Sequence, residues 1–285
     1  MTAGCGQAKD ARLDAWLLAP ALAWTGLFCG LPILIVFLIS FATRGTYGGV
    51  EWAFTLVNYR DLADPLYLYI YARSFALALA TTGLCLVLGF PLAYFVARAP
   101  AHRQGLWLML VLVPFWTNFL VRTYAWMNVL RADGLLNSLL TGSGLVSAPP
   151  EILYTDAAVL IGLVYGYLPF MVLPLYASLE RLDRSLIEAA RDLHASGWAV
   201  LTRVIVPLTK PGIVAGCLLV FIPSFGAYIT PDLLGGARSM MVGNFIQHEY
   251  LVVRDWPLGS AASFVMMALV MAVVWRYRGK SGVRP

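Results

Sequence analysis

The chain has 285 residues, of which 60% are hydrophobic and only 12% are charged, and its formal net charge is +5. A soluble domain carries about 25% charged residues, so this composition excludes an ordinary soluble protein and indicates a membrane protein. With so few charges, the distribution of basic residues between loops is more informative than the net charge.

Six charge-free runs are long enough to cross the hydrocarbon core as helices, which takes about 20 residues. The first exceeds the apolar core of a cleaved signal peptide, about 7–15 residues, so we expect an uncleaved span, with bends at Pro20 and Pro32. The third run is expected to continue past Arg122, whose long side chain can reach the interface. The runs are residues 15–43, 74–97, 104–121, 157–179, 211–231 and 256–275.

The basic residues predict which ends of these spans lie in the cytoplasm. If the N-terminus is inside, 13 of the 20 Lys and Arg residues lie inside and 7 outside. Cytoplasmic loops carry such an excess, so both termini are predicted to be cytoplasmic. The expected fold is an all-α integral membrane protein with six transmembrane helices, in one domain. It comprises a cytoplasmic segment at residues 1–14, the six-span region at 15–276 and a cytoplasmic tail at 277–285.

The sequence contains no pattern typical of a catalytic or metal centre. No two of the four cysteines, Cys5, Cys29, Cys85 and Cys217, have ligand spacing, and we expect all four to be small buried apolar residues. Neither HExxH nor CxxC occurs, and no glycine-rich phosphate loop follows a strand. The six runs also lack acidic residues, which ion-coupled pumps place inside the bundle. Energy for transport is therefore expected to come from a partner.

One segment between the fourth and fifth runs mixes charge with helical periodicity: residues 188–213, EAARDLHASGWAVLTRVIVPLTKPGI. Here and just before it, apolar residues fall on one face of each of two short helices. A helix lying on the membrane or on its own bundle explains this pattern as well as a docking helix does. The two apolar stripes are Leu186, Ala190 and Leu193, followed by Trp198, Leu201 and Ile205.

The segment resembles the EAA loop of permease subunits from binding-protein-dependent ABC importers. Residues 188–190, Glu-Ala-Ala, match the start of the motif. Pro207 and Pro211 match its end, with Val206 in place of the usual leucine. The family pattern has a glycine six residues after the glutamate, where this sequence has His194.

The resemblance implies that residues 188–194, within a loop at 180–210, form a coupling helix that docks on an ATPase subunit. Glu188 would face a basic group of the ATPase, the alanines would allow close approach, and Leu186 and Leu193 would bury against apolar surface. The residues assigned to coupling are Glu188, Ala189, Ala190, Arg191, Asp192, Leu193, His194 and Gly197.

His194 occupies the position of a glycine that would permit a left-handed turn. Histidine is among the residues enriched at positive φ. We therefore predict that His194 holds the same turn and that Ser196 caps the next helix. The alternative is a helix that continues through His194.

Residues 114–140 and 231–263 resemble the first permease subunit of spermidine/putrescine importers, with aminoethylphosphonate and opine importers as alternatives. Acids and aromatic faces suit an amine, although packing between helices explains the same residues. Prolines and glycines in the fifth run predict a helix break beside the translocation path at residues 223–228, and a kink for packing is the alternative. The candidate path residues are Phe115, Trp116, Phe119, Tyr124, Pro223, Ser224, Phe225, Tyr228 and Asp232.

The resemblance implies a bacterial inner-membrane permease subunit that assembles with a second permease, two ATPase subunits and a periplasmic binding protein. ATP and Mg²⁺ would be used by the ATPase subunits, and this chain would bind no cofactor, metal or nucleic acid. Two other classes stay open. A membrane-embedded enzyme needs clustered polar side chains inside the spans, and a self-contained channel or secondary transporter would work without ATPase partners.

Overall fold

The computed structural model describes residues 19–144, 150–236 and 239–281, with side chains up to residue 276. This part of the chain is mainly helical, with one antiparallel pair of two-residue strands, β1 (Thr43–Arg44) and β2 (Val50–Glu51). The helices are α1 (Ala19–Ile39), α2 (Val57–Asp61), α3 (Pro65–Arg98), α4 (Ala101–Leu112), α5 (Phe119–Leu130), α6 (Leu135–Gly142), α7 (Asp156–Glu180), α8 (Arg184–Asp192), α9 (Gly197–Leu208), α10 (Lys210–Phe225), α11 (Val242–His248) and α12 (Trp256–Ser281).

Four helices, α1, α3, α7 and α12, are long and apolar enough to cross a membrane. Two bent pairs of helices raise the number to six if each pair is one span. The first pair joins residues 101–116 to residues 119–142 at 86°, and the second joins α9 to α10 at 71°. The fold is therefore helical, with four to six candidate spans.

The first bent pair breaks a run for which the sequence predicted one helix. Pro114 lies in a 3-10 turn, Val113–Trp116, that follows α4, and Thr117 is extended with ψ of 152°. Asn118 then starts α5, because its side-chain oxygen accepts a hydrogen bond from the Leu120 N–H at 2.8 Å. A proline and a new helix cap within five residues explain why the chain turns here.

The described residues form two compact units, each with its own contacts, and the first comprises residues 19–63 and 248–265. In it the buried Asn58 donates hydrogen bonds to the backbone oxygens of Ser40 and Ala42, each at 2.9 Å. These bonds satisfy carbonyl groups just after α1 ends.

The second unit comprises residues 64–247 and 266–281, apart from those outside the described ranges, and its core lies where α3, α7 and α10 pack together. Glycines let α10 approach α7 closely. A Cβ atom at Gly212 would overlap the Cβ of Ser178, and one at Gly216 would lie 2.7 Å from the Met171 sulfur. Small residues at helix contacts allow close backbone packing in membrane proteins.

One helix starts earlier than the sequence predicted, and another ends at a predicted break. α3 begins at Pro65, capped by Asp64, and so contains Arg73, which lies just before the charge-free run at residues 74–97. The charge is tolerated inside the helix because Arg73 pairs with Asp156. α10 ends at Phe225, with Pro223 in its last turn, and this confirms the helix break that was predicted at residues 223–228. In α1, a π-helical stretch, Gly26–Gly30, comes just before Pro32.

The prediction that all four cysteines are buried was partly wrong. Cys85 is fully buried and Cys217 half-buried, but Cys29 is exposed in the isolated chain, as are most of the residues around it in α1. Cys5 lies outside the described residues, as does the predicted segment at residues 1–14.

Candidate functional site

Helix α8 lies within the predicted loop at residues 180–210, and its start is fixed by Asp183. The Asp183 carboxylate accepts a hydrogen bond from the Ser185 N–H at 2.9 Å. This backbone hydrogen bond, together with a contribution from the Ser185 side chain, lowers the pKa of the Asp183 carboxyl. A carboxylate at this end also complements the helix dipole.

The end of α8 is a left-handed turn at His194, whose φ is +57°. The His194 N–H donates to the Arg191 carbonyl at 2.8 Å, and the Ala195 N–H donates to the Ala190 carbonyl at 3.1 Å. These two bonds form a Schellman motif, the ending that glycine usually provides. The prediction for His194 is confirmed, and the alternative of a continuing helix is wrong.

Helix α9 begins immediately after this turn. The Ser196 hydroxyl accepts a hydrogen bond from the Ala199 N–H at 3.3 Å, which confirms the predicted cap. Gly197 is the first residue of the helix. The left-handed residue His194 and the Ser196 cap thus set the angle between α8 and α9.

One face of α8 is fixed to the core, and the opposite face is exposed. Ile187 is 5% exposed and packs in a cluster with residues of α3, α7, α9 and α10. Glu188, Ala189, Arg191 and Asp192 are exposed. The helix is therefore held by its own chain on one side and presents charged and small residues on the other.

The predicted apolar stripes match the packing of this segment only in part. Leu186 and Leu193 are 45% and 83% exposed, whereas Ala190, which was expected to meet a partner, lies against the core. In α9, Trp198 is 74% exposed, and the buried residues are Val200 and Ile205. The π-helical stretch Leu201–Ile205 widens the spacing of buried residues beyond the α-helical period.

A groove of about 610 Å³ opens beside α8. Its walls come from α7, α10 and the end of α9, and they include Ser178, Asp183, Leu186, Leu208 and Gly212. Leu186 therefore borders open space instead of packing in the core.

Part of the predicted translocation set surrounds Arg122 at the bend between the 3-10 turn and α5. The guanidinium carbon of Arg122 lies 4.8 Å from the ring centroid of Phe115 and 5.5 Å from that of Phe119. Tyr165 of α7 adds a third ring at 5.7 Å and stacks on Phe115, with ring centroids 5.4 Å apart. We call these three rings the aromatic cage.

The other candidates are not gathered at one place. Ser224 and Phe225 are fully buried, and the Pro223 carbonyl accepts a hydrogen bond from Tyr167 at 3.2 Å. Five candidates are exposed in the isolated chain: Trp116, Tyr124, Pro223, Tyr228 and Asp232.

Two charged features were missed by sequence reasoning. Arg73 bonds to both Asp156 and Ser239, and the Ser239 hydroxyl also donates to Asp156 at 2.9 Å. The carboxylate of Asp156 is therefore neutralised within the chain. Arg122 had been assigned to the interface, although a charge inside an apolar run is by itself a signal of a functional site.

No metal site is formed by the part of the chain that the structure describes. Across residues 19–144, 150–236 and 239–281, no three His, Cys, Asp or Glu side chains are grouped to hold a metal ion.

A core of long apolar helices, α3, α7 and α10, with an exposed short helix beside it is typical of a membrane protein. The chain belongs to the family of binding-protein-dependent transport system inner membrane components, whose model matches residues 3–277. It is therefore an inner-membrane permease component, and in this family ATP is hydrolysed by separate subunits.

Particular relatives are similar over almost the whole chain. The spermidine/putrescine transport system permease protein PotB of Escherichia coli is 46% identical over 91% of this chain and 96% of that protein. The protein of the same name from Haemophilus influenzae is 45% identical over 89% of this chain and 90% of that protein. A solved bacterial alginate ABC transporter, in complex with an alginate pentasaccharide-bound periplasmic protein, contains a chain with TM-score 0.70 and 16% identity. The match covers 97% of this chain and 96% of the solved one, and at this identity it concerns the fold alone.

Proposed function

We propose that this chain is a permease subunit of an ATP-driven importer for spermidine and putrescine. The substrate class is supported by the similarity to permeases named for these two amines, which extends over nine-tenths of the chain. The proposed assembly contains a second permease, two ATPase subunits that use ATP and Mg²⁺, and a periplasmic binding protein that delivers the substrate.

The observation that carries the coupling role is the mounting of α8. Ile187 fixes the helix to the core, and the Asp183 cap and the His194 turn fix its two ends. Its exposed face offers Glu188 to a basic group and Ala189 to close approach by an ATPase subunit. A push on this helix would pass to the core mainly through α9, the helix that it contacts.

The proposed topology has six spans with both termini in the cytoplasm, each bent pair counting as one span. It is supported by the excess of Lys and Arg in the loops assigned to the inside. It places α8 in the cytoplasm. The proposed boundaries are a cytoplasmic segment at residues 1–14, the spans at 15–276 and a tail at 277–285.

Transport by the reconstituted complex tests this function. The chain is co-expressed with its second permease and ATPase, placed in liposomes, and supplied outside with the binding protein and inside with Mg-ATP. We expect uptake of radiolabelled spermidine and putrescine, and none of aminoethylphosphonate. Replacing ATP by ADP is the control.

Two results would contradict the proposal. Uptake that persists without the ATPase subunits would indicate a self-contained channel or secondary transporter. Uptake of aminoethylphosphonate but of neither polyamine would retain the importer class and overturn the substrate.

A further inference from the structure

The aromatic cage around Arg122 holds a cation without a counter-charge. Within the described residues, no carboxylate forms an ion pair with Arg122, and its Nη1 atom is buried without a hydrogen-bond partner. Arginine stays charged under all ordinary conditions. The ring faces are therefore the groups seen to stabilise this guanidinium.

The cage is built from both sides of a helix break. Phe115 lies on the 3-10 turn before the bend, and Phe119 and Arg122 lie after it, on α5. Tyr165 belongs to α7, and Trp126 supports it edge-on at 5.3 Å. Because the rings come from three separate segments, a change in the bend angle opens or closes the cage.

We propose that Arg122 is a resident cation that occupies a binding site for the ammonium groups of the transported amine. This inference rests on the proposed function, since the substrate class supplies the competing cation. An alkylammonium group and a guanidinium interact with the same ring faces. They exclude each other from the cage by volume and by charge, so substrate enters when Arg122 leaves and is expelled when Arg122 returns.

The unsatisfied Nη1 atom makes this exchange feasible. A buried donor without a partner raises the energy of the occupied state, so Arg122 is held less firmly than an arginine paired with a carboxylate. Arg73, which bonds to both Asp156 and Ser239, illustrates the firmly held case in the same unit.

Competition between soluble cations in an Arg122→Ala variant tests the proposal. The complete complex of permeases and ATPases is purified in nanodiscs without the binding protein, and its unfolding temperature is measured. We expect millimolar methylguanidinium to stabilise the variant but not the wild type, in which the cage is filled. Spermidine should stabilise the variant as well, and binding of labelled spermidine should be displaced by methylguanidinium.

Two matched variants define the site. Arg122→Ala combined with Phe119→Leu should bind methylguanidinium about tenfold more weakly, the effect of losing one desolvated ring face. Arg98→Ala removes an arginine that lies 4.8 Å from the centroid of a single ring, that of Tyr94, outside the cage, and should create no binding. Arg122→Gln replaces Arg122→Ala if the latter does not assemble.

The outcomes separate this inference from the proposed function. The cage proposal is overturned if wild-type liposomes take up spermidine but methylguanidinium displaces no labelled spermidine from either Arg122 variant. Binding that is unchanged by Phe119→Leu overturns it equally. If neither Arg122 variant assembles, the single variant Phe119→Leu is tested instead, with Phe95→Leu as its control. The measurement is ATP hydrolysis stimulated by spermidine. Equal stimulation in the two variants contradicts the proposal. Wild-type liposomes without spermidine uptake would instead reject the proposed function.

Discussion

A single residue with positive φ directs the chain between two short helices. His194 is one of three non-glycine residues with positive φ in the described part of the chain, and it ends α8 with two hydrogen bonds to the preceding turn. A non-glycine residue in this conformation costs about 1–2 kcal/mol. The local bonds and the neighbouring caps hold it there.

Substitution of His194 should separate backbone conformation from side-chain chemistry. We expect His194→Gly to retain ATPase binding and transport, because glycine adopts the turn without strain. His194→Val should destabilise the turn by about 1–2 kcal/mol or more and reduce co-purification of the ATPase, because a β-branched residue disfavours positive φ. The measurements are ATPase co-purification and the unfolding temperature, with His102→Val, at the exposed start of α4, as the control. Equal behaviour of the two His194 variants would show that the turn is not limiting.

Glu249 is an ionisable residue in a buried position. Its exposed fraction is 8%, and it lies at the start of a π-helical turn. Burial raises the pKa of its carboxyl and Asp255 adds to the shift, while His248 and Arg44 oppose it. The folded state therefore binds the proton more tightly than the unfolded state. Stability is greatest below the usual Glu pKa, falls as pH rises to the raised value and is constant above it.

Glu249→Gln should remove this pH dependence. We expect the variant to have a higher unfolding temperature than the wild type at pH 7, and a smaller difference at pH 4, where the wild-type carboxyl is protonated. Thermal unfolding in nanodiscs over this pH range measures the effect, and Glu51→Gln on the exposed hairpin is the control. A wild-type profile that Glu249→Gln leaves unaltered would contradict the assignment.

At the scale of elements, the close contact between α7 and α10 depends on glycines in α10, which have no side chain. We expect Gly212→Ala to destabilise the protein by about 1–3 kcal/mol, because the new methyl group overlaps Ser178. Gly83→Ala in α3 meets no atom within 4 Å and should have little effect. Unfolding temperatures of the purified complexes measure both changes. Equal loss in the two variants would point to a general intolerance of alanine instead of a close helix contact.

The helices also show which structural features can be predicted from the sequence. Charge-free runs predicted the apolar segments, because lipid excludes charge along the length of a span. They did not predict the break at residues 117–118, because a bend leaves the composition unchanged. They placed the start of α3 too late, because the charge of Arg73 is neutralised by Asp156, which is 83 residues away in the chain.

At the scale of the whole molecule, α8 is expected to join this chain to an ATPase, and its two faces should respond differently to substitution. Leu193→Asp changes an exposed residue, so we expect an unchanged unfolding temperature and co-purification of the ATPase reduced roughly tenfold or more. Ile187→Ala removes a buried residue and should destabilise the permease by about 2–5 kcal/mol.

Glu188→Ala completes this test, because it should weaken ATPase binding without reducing the amount of permease in the membrane. If the unfolding temperature and the amount of co-purified ATPase change together in all three variants, α8 does not have one face for packing and another for docking. Retention of the ATPase by both Leu193→Asp and Glu188→Ala would remove α8 from the coupling role.

The sequence by itself determined the membrane class and the apolar segments, and it favoured a left-handed turn at His194 over a continuing helix. Each of these depends on local properties: hydropathy, charge content and the few residues that tolerate positive φ. Only the tertiary structure decided which side of α8 is buried and which residues surround Arg122. The predicted stripes hold only in part, because a stripe marks apolar residues without saying what covers them: Ile205 is buried and Leu193 is exposed. The roles of Ile187, Tyr165 and Asp156 depend on contacts with residues distant in sequence. The periodicity of a helix does not predict such contacts.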